Sequence, residues 1–237
     1  PNMFFILSLF LLLKKHYGWS LFTFLPVLYI KLSLVFIVPY FFLLLFKLAK
    51  KKQLAISLVT SLLFLVIITL PISPNPFSWF TQFIQTNALG EMQNITAFAF
   101  NFWWTLFAPT IQINNSTNLF AFSEIRLLGS PDSASLFAGL PLFVWSILLF
   151  FLATIPLLNL FLKEKSFKPH TIFLIFSLLA LLGFLFLPRM HERYIYPIFP
   201  LLATYVGLIG KKYTTFIILT VLNLINLYLV WHTSPIP

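Results

Sequence analysis

The chain contains no cysteine, only 7 glycines and only 8% charged residues. Without cysteine it can form no disulfide and no thiolate metal site. The glycines form neither a dinucleotide-binding fingerprint nor a P-loop, and no His-Glu-x-x-His zinc motif occurs. These absences exclude the common nucleotide-binding folds and zinc hydrolases, and so little charge is not compatible with a soluble globular protein.

Hydrophobic residues make up 60% of the chain, and the mean hydropathy is +0.97. They are concentrated in eight apolar segments, at residues 2–13, 17–30, 32–46, 53–70, 140–162, 171–187, 194–210 and 213–231. A helix needs about 20 apolar residues to cross a bilayer, and shorter segments can cross in part or lie at its surface. The sequence therefore predicts an all-α polytopic transmembrane helix bundle with about seven to eight membrane segments. We expect the bundle to form one transmembrane domain over residues 1–237.

The net charge of +10 comes from short basic clusters between these segments. Lys14-Lys15-His16, Lys47 with Lys50-Lys51-Lys52, residues 163–168 and Lys211-Lys212 all fall on one face when the spans alternate. The positive-inside rule makes that face cytoplasmic. The charge therefore indicates membrane topology rather than a nucleic-acid partner, and the protein is predicted to be a multi-pass membrane protein.

Residues 71–139 form the one long connection, which this topology places on the extracytoplasmic side. Its apolar residues 77–84 recur at helical spacing and include Trp79, a residue typical of the membrane interface. Residues 96–109 are apolar but too short for a full span. We therefore expect interfacial or re-entrant helices within this extracytoplasmic loop.

A charged cluster interrupts the apolar sequence near the C-terminus, at Arg189, His191, Glu192 and Arg193. Charge beside a bilayer core is costly, so such a cluster is a functional-site hypothesis. Pro188 predicts a helix start, which would place Arg189 and Arg193 four residues apart around a bound anion. The structural alternative is that these side chains anchor a helix end, with Glu192 neutralising its neighbours.

The residues Met190-His191-Glu192-Arg193-Tyr194, with Pro188-Arg189 before them and Ile195-Tyr196-Pro197 after them, resemble a family signature. It is that of bacterial mannosyltransferase-like membrane proteins, which are related to the glycosylphosphatidylinositol mannosyltransferases of the GT-C superfamily. We call residues 188–194 the charged motif. Weaker similarities are Lys31 at the start of an apolar helix, and Asn101 before Trp103-Trp104.

The resemblance implies transfer of a hexose, mannose by preference, from a polyprenyl-phosphate carrier to a glycan, lipid or protein acceptor outside the bacterial cell membrane. Arg189, Arg193 and Lys31 would bind the carrier phosphate. His191 and Glu192 would act on the phosphate or sugar, supported by Tyr194, Asn101 and Trp104.

GT-C enzymes generally take their main catalytic carboxylate from the first extracytoplasmic loop. The resemblance therefore implies that the chain is a fragment lacking its N-terminal part. Glu91, Glu124 and Asp132 are the other extracytoplasmic acids, and no sequence context favours one of them as a base. The sequence identifies no certain cofactor. Dependence on a divalent metal ion remains open.

Two other functions remain open at this point. One is a transporter or flippase for lipid-linked saccharides, with the arginines as a phosphate-binding gate. The other is an inactive GT-C-like subunit that acts in assembly.

Overall fold

In the computed structural model, a helix forms within every one of the eight apolar segments, which confirms the all-α class. The structure describes residues 1–30, 32–86, 93–97, 99–107, 131–164, 166–211 and 213–233. Its helices are α1 (Asn2–Leu13), α2 (Tyr17–Ile30), a 3₁₀ helix (Leu32–Ile37), α3 (Val38–Leu48), α4 (Lys51–Thr69), α5 (Pro76–Ile84), α6 (Phe102–Phe107), α7 (Leu142–Lys163), α8 (Pro169–Phe186), a second 3₁₀ helix (Glu192–Ile195), α9 (Ile198–Ile209) and α10 (Tyr213–Thr233).

Four short strands complete the described elements. The strand β1 (Thr96–Ala97) pairs in parallel with β4 (Met190–His191), in the register Thr96↔Met190 and Ala97↔His191. The strands β2 (Ser135–Phe137) and β3 (Leu140–Pro141) pair antiparallel. The parallel pair is the more informative, because it joins two segments that are far apart in sequence and one of them contains the charged motif.

The chain divides into two compact units, and the prediction of one transmembrane domain stays a prediction. The first unit comprises Pro1–Glu91 and Leu160–Lys165. In it α2 packs against α1 and α4. Ser8 and Ser20 satisfy each other at the α1–α2 contact, since each hydroxyl donates to the other residue's carbonyl oxygen at 2.7 and 2.8 Å. This reciprocal pairing allows two polar side chains to be buried between apolar helices.

The second unit comprises Met92–Asn159 and Ser166–Pro237. Here α8 packs against α6, α9 and the 3₁₀ helix Glu192–Ile195. A buried cluster of Ile95, Trp103 and Leu142 joins β1 and α6 to the start of α7. This unit contains the charged motif.

Three of the described helices are long and apolar enough to cross a membrane: Lys51–Thr69, Leu142–Lys163 and Pro169–Phe186. In each of the first two, only 22% of the most apolar window is buried. Apolar side chains therefore cover most of the outer surface of these helices, as expected for helices in lipid. Shorter apolar helices occupy the other segments.

Among its described residues, the long connection contains the short helices α5 and α6, and their interfacial or re-entrant placement stays a prediction. Helix α5 begins at Pro76, and the Asn75 side chain accepts a hydrogen bond from the Ser78 backbone N–H at 3.1 Å. The described residues between 96 and 107 form two different elements. They begin with the strand Thr96–Ala97 and continue into α6, because the strand pairs with the charged motif.

The end of α1 offers a test of backbone strain. Lys15 has a φ of 62°, and the N–H groups of Lys15 and His16 donate to Leu12 and Leu11 carbonyls. These bonds form the Schellman motif, which favours glycine at the left-handed position. We expect Lys15→Gly to raise the free energy of unfolding by about 1 kcal/mol. The matched control is Lys14→Gly, where φ is −79°. Equal effects of the two substitutions on chemical denaturation would contradict this prediction.

Candidate active site

No α-helix begins at Pro188, so that part of the sequence prediction is wrong, and the motif contains only the start of the 3₁₀ helix Glu192–Ile195. Arg189 has a φ of 60°, His191 is extended, and helix α9 starts only at Ile198. The Arg189 N–H donates to the Ile95 carbonyl at 2.9 Å, outside any helical pattern. Residues 189–191 therefore pair with β1 and its preceding residue. They do not form the first turn of a helix, although Pro188 would be compatible with one. Arg189 and Arg193 consequently do not lie on adjacent turns of one helix.

The partner strand β1 and the residue before it are fully buried. Ile95, Thr96 and Ala97 are each 0% exposed. The Thr96 hydroxyl donates to the Ala99 carbonyl at 2.9 Å, which satisfies the hydroxyl inside the apolar interior. The motif is therefore built on a rigid support rather than on an exposed loop.

Asn101 and Trp103 stabilise the end of α8, directly before the motif. The last carbonyls of a helix lack partners within the helix. Asn101 Nδ2 donates to the Phe184 carbonyl at 3.3 Å, and Trp103 Nε1 donates to the Phe186 carbonyl at 2.8 Å. Asn101 Oδ1 also accepts from the Trp104 N–H at 3.1 Å. These contacts place the predicted supporting residues Asn101 and Trp104 at the base of the motif.

Arg189 forms an ion pair with Asp132, a partner that the sequence did not indicate. Arg189 Nε lies 2.6 Å from Asp132 Oδ2, with the two side chains 20% and 5% exposed. The guanidinium also lies over the Phe143 ring, 5.5 Å from its centroid. The Asp132 backbone bonds to Gln93 and Phe143. This carboxylate is fixed in place, and it neutralises one of the two arginines predicted to bind phosphate.

No local pattern could have identified Asp132. It lies 57 residues before Arg189 in a polar segment, and the sequence offered Glu91 and Glu124 on equal terms. Only the pairing of the segments around Ile95 and Arg189 brings it to the motif.

His191, Glu192 and Tyr194 lie together. His191 Nδ1 is 4.0 Å from Glu192 Oε2, and the two side chains are 12% and 13% exposed. That distance is too long for a hydrogen bond. The His191 ring packs edge-on against Tyr194, with ring centroids 5.2 Å apart. Within the described part of the chain, the Glu192 carboxylate receives no hydrogen bond, although it is largely shielded from solvent.

Arg193 follows Glu192 and is the solvent-exposed member of this group. Its side chain is exposed, and it makes no hydrogen bond or ion pair with the residues that the structure describes. The site thus presents a shielded carboxylate, an imidazole and an exposed guanidinium within three consecutive residues. Such a set can bind a phosphate at the cation and a hydroxyl group at the carboxylate.

Several predicted residues lie outside the described residues, namely Lys31, Glu91 and Glu124. No cluster of three or more His, Asp or Glu side chains that could hold a metal ion occurs among the described residues. The roles of these residues and of a metal ion stay predictions.

Comparison with known proteins found no family model, no curated protein and no solved structure that matches this chain. The resemblance of the charged motif to the GT-C signature therefore stays a prediction.

Proposed function

We propose that this protein is a membrane glycosyltransferase that moves a hexose, mannose by preference, from a polyprenyl-phosphate carrier to an extracytoplasmic acceptor. The observation that carries the proposal is that a shielded Glu192 carboxylate and an exposed Arg193 guanidinium are adjacent in sequence, and that neither makes a hydrogen bond with the described residues. These groups lie in a sequence that resembles the signature of bacterial mannosyltransferase-like proteins.

In this proposal Arg193 is the principal ligand of the carrier phosphate. Its planar guanidinium can donate two parallel hydrogen bonds to phosphate oxygens. Arg189 contributes differently from the sequence hypothesis, because its Nε is bound to Asp132. It fixes the start of the motif, and Asp132 neutralises its charge.

The chemistry requires the bond between the anomeric carbon and the phosphate oxygen to break while an acceptor oxygen bonds to that carbon. Negative charge develops on the departing lipid phosphate, and a fixed cation there lowers the barrier. The acceptor hydroxyl loses its proton to a carboxylate. By the resemblance, that base lies upstream of these residues. His191 and Glu192 contact the phosphate and the sugar, with Tyr194 holding His191.

The membrane arrangement is part of the same proposal. We place the apolar helices as seven to eight membrane segments of a multi-pass protein in a bacterial cell membrane. Lysine clusters at the ends of α1, α3 and α7 then face the cytoplasm under the positive-inside rule. The charged motif and residues 71–139 face the opposite side, where a lipid-linked sugar would be presented.

The proposal is tested by transfer of labelled mannose from a mannosyl polyprenyl phosphate, in membranes that contain the full-length protein. We expect Arg193→Ala to raise the KM for the donor about tenfold or more, because a charge-assisted hydrogen bond contributes about 1.5–3 kcal/mol. Arg193→Lys should have an intermediate effect, since it keeps the charge and loses the planar fork. Lys52→Ala removes an exposed cation outside the site and serves as the control.

Three results would contradict the proposal or part of it. If the wild type transfers no hexose from any polyprenyl-phosphate donor, the protein is not this type of enzyme. Movement of the intact lipid-linked saccharide across the membrane, without transfer, would favour the flippase. An unchanged KM in Arg193→Ala would show that Arg193 is not the ligand of the carrier phosphate.

A further inference from the structure

The last helix, α10, buries polar residues and exposes apolar ones. Its two fully described buried positions are Asn223 and Asn226, which are 7% and 9% exposed. Its outer surface carries large apolar side chains, at Ile217, Ile218, Val221, Leu222, Leu224 and Ile225. The two asparagines are three residues apart and therefore share the inner face of the helix.

Among the residues that the structure describes, each of these amides has one buried side-chain atom without a hydrogen-bond partner. Asn226 Oδ1 accepts a hydrogen bond from the Phe100 N–H at 2.9 Å, but its Nδ2 has no partner. Asn223 Oδ1 also has no partner. A buried polar atom without a hydrogen bond destabilises the folded protein, and leucine at position 223 would avoid that destabilisation. Unpaired polar groups inside an apolar helix bundle are therefore typical of a functional site.

The helix that carries the two asparagines packs against part of the charged motif. Helix α10 packs against the 3₁₀ helix Glu192–Ile195, which carries Glu192 and Arg193. Asn226 reaches Phe100, the residue before Asn101, which supports the end of α8. All of these residues belong to the second compact unit.

The chemistry of the orphan atoms identifies the type of group they would bind. Asn223 Oδ1 is an acceptor and Asn226 Nδ2 is a donor. A phosphate offers only acceptors at neutral pH and would be repelled by Oδ1. A hydroxyl group donates to one atom and accepts from the other, so a polyhydroxylated ligand satisfies both.

We infer that Asn223 and Asn226 form a subsite for the sugar hydroxyls of the ligand whose phosphate Arg193 binds. The identity of that ligand as a glycosyl phosphate rests on the proposed function. Because the two orphan atoms are covered by protein, the subsite opens when neighbouring side chains move during binding. This is selection of a less populated conformation by the ligand.

The test compares binding of two probes to the full-length protein in detergent: geranyl phosphate and geranyl mannosyl phosphate. We expect the wild type to bind the mannosyl probe about tenfold tighter, as two hydrogen bonds of about 1 kcal/mol each would give or exceed. Asn223→Leu should lose most of this difference, keep its affinity for geranyl phosphate and unfold at a higher temperature. Thr220→Val is the matched control on the same helix, because the Thr220 hydroxyl already donates to the Phe216 carbonyl.

Each other outcome has a defined meaning. Equal preference for the mannosyl probe in the wild type and Asn223→Leu would overturn the subsite, as would absence of any preference in the wild type. A wild type that prefers the mannosyl probe but transfers no sugar would contradict the proposed function and leave the subsite standing. If Asn223→Leu does not fold, Asn223→Ala decides the same comparison with a smaller side chain.

Discussion

Replacing Glu192 by glutamine is expected to lower the rate of mannose transfer by about 100-fold, the upper range for loss of a hydrogen bond to a charged group. Glutamine has nearly the same shape, so it preserves the packing beside His191 while removing the negative charge. The carboxylate is 13% exposed and has no protein hydrogen bond among the described residues, so its charge is available to the ligand rather than committed to the fold. The measurement is the steady-state rate at saturating donor, together with the unfolding temperature of both proteins.

The matched control is Glu164→Gln, which removes an exposed carboxylate after α7. It should leave transfer unchanged. Full activity in Glu192→Gln would contradict the assignment and support the alternative in which Glu192 only neutralises its basic neighbours. A fall in kcat with an unchanged KM would indicate that Glu192 acts mainly in the transition state, whereas a rise in KM alone would indicate ground-state binding.

The second large effect concerns stability. We expect Asp132→Ala to lower the free energy of unfolding by about 3 kcal/mol, the lower end of the range for breaking a buried ion pair. The substitution leaves the Arg189 guanidinium largely buried without its carboxylate partner, at a residue whose backbone already has a φ of 60°. Reversible denaturation of the protein in mixed detergent micelles measures this change.

A double-mutant cycle separates the ion pair from simple loss of packing. Arg189→Met alone should also destabilise the protein, because it strands the Asp132 carboxylate. The double variant Asp132→Ala with Arg189→Met should lose less than the sum of the two single changes, by about 1–3 kcal/mol. Strict additivity would show that the two side chains do not interact, contrary to their 2.6 Å separation.

The difference between the predicted and observed motif has a specific physical origin. Pro188 is compatible with the first turn of a helix, and the sequence contains no signal against one. In the structure, the Arg189 N–H instead donates a hydrogen bond to the Ile95 carbonyl, and Met190 pairs with Thr96. Such hydrogen bonds join residues more than ninety positions apart, and no local pattern encodes them. The same applies to Asp132, which became a neighbour of Arg189 only through this pairing.

By contrast, the helix positions were predictable because hydrophobic segments and their charged ends are local properties. Residues 2–13 and 17–30 coincide with α1 and α2, and the basic residues fall at the helix ends. The sequence by itself determined the all-α class, the apolar helices and the charged motif as the candidate site. The tertiary structure decided that Arg189 is held by Asp132, that Glu192 and Arg193 remain available, and that Asn223 and Asn226 face inward. These depend on which distant segments pack together, and packing between segments is the information that a local pattern of residues does not contain.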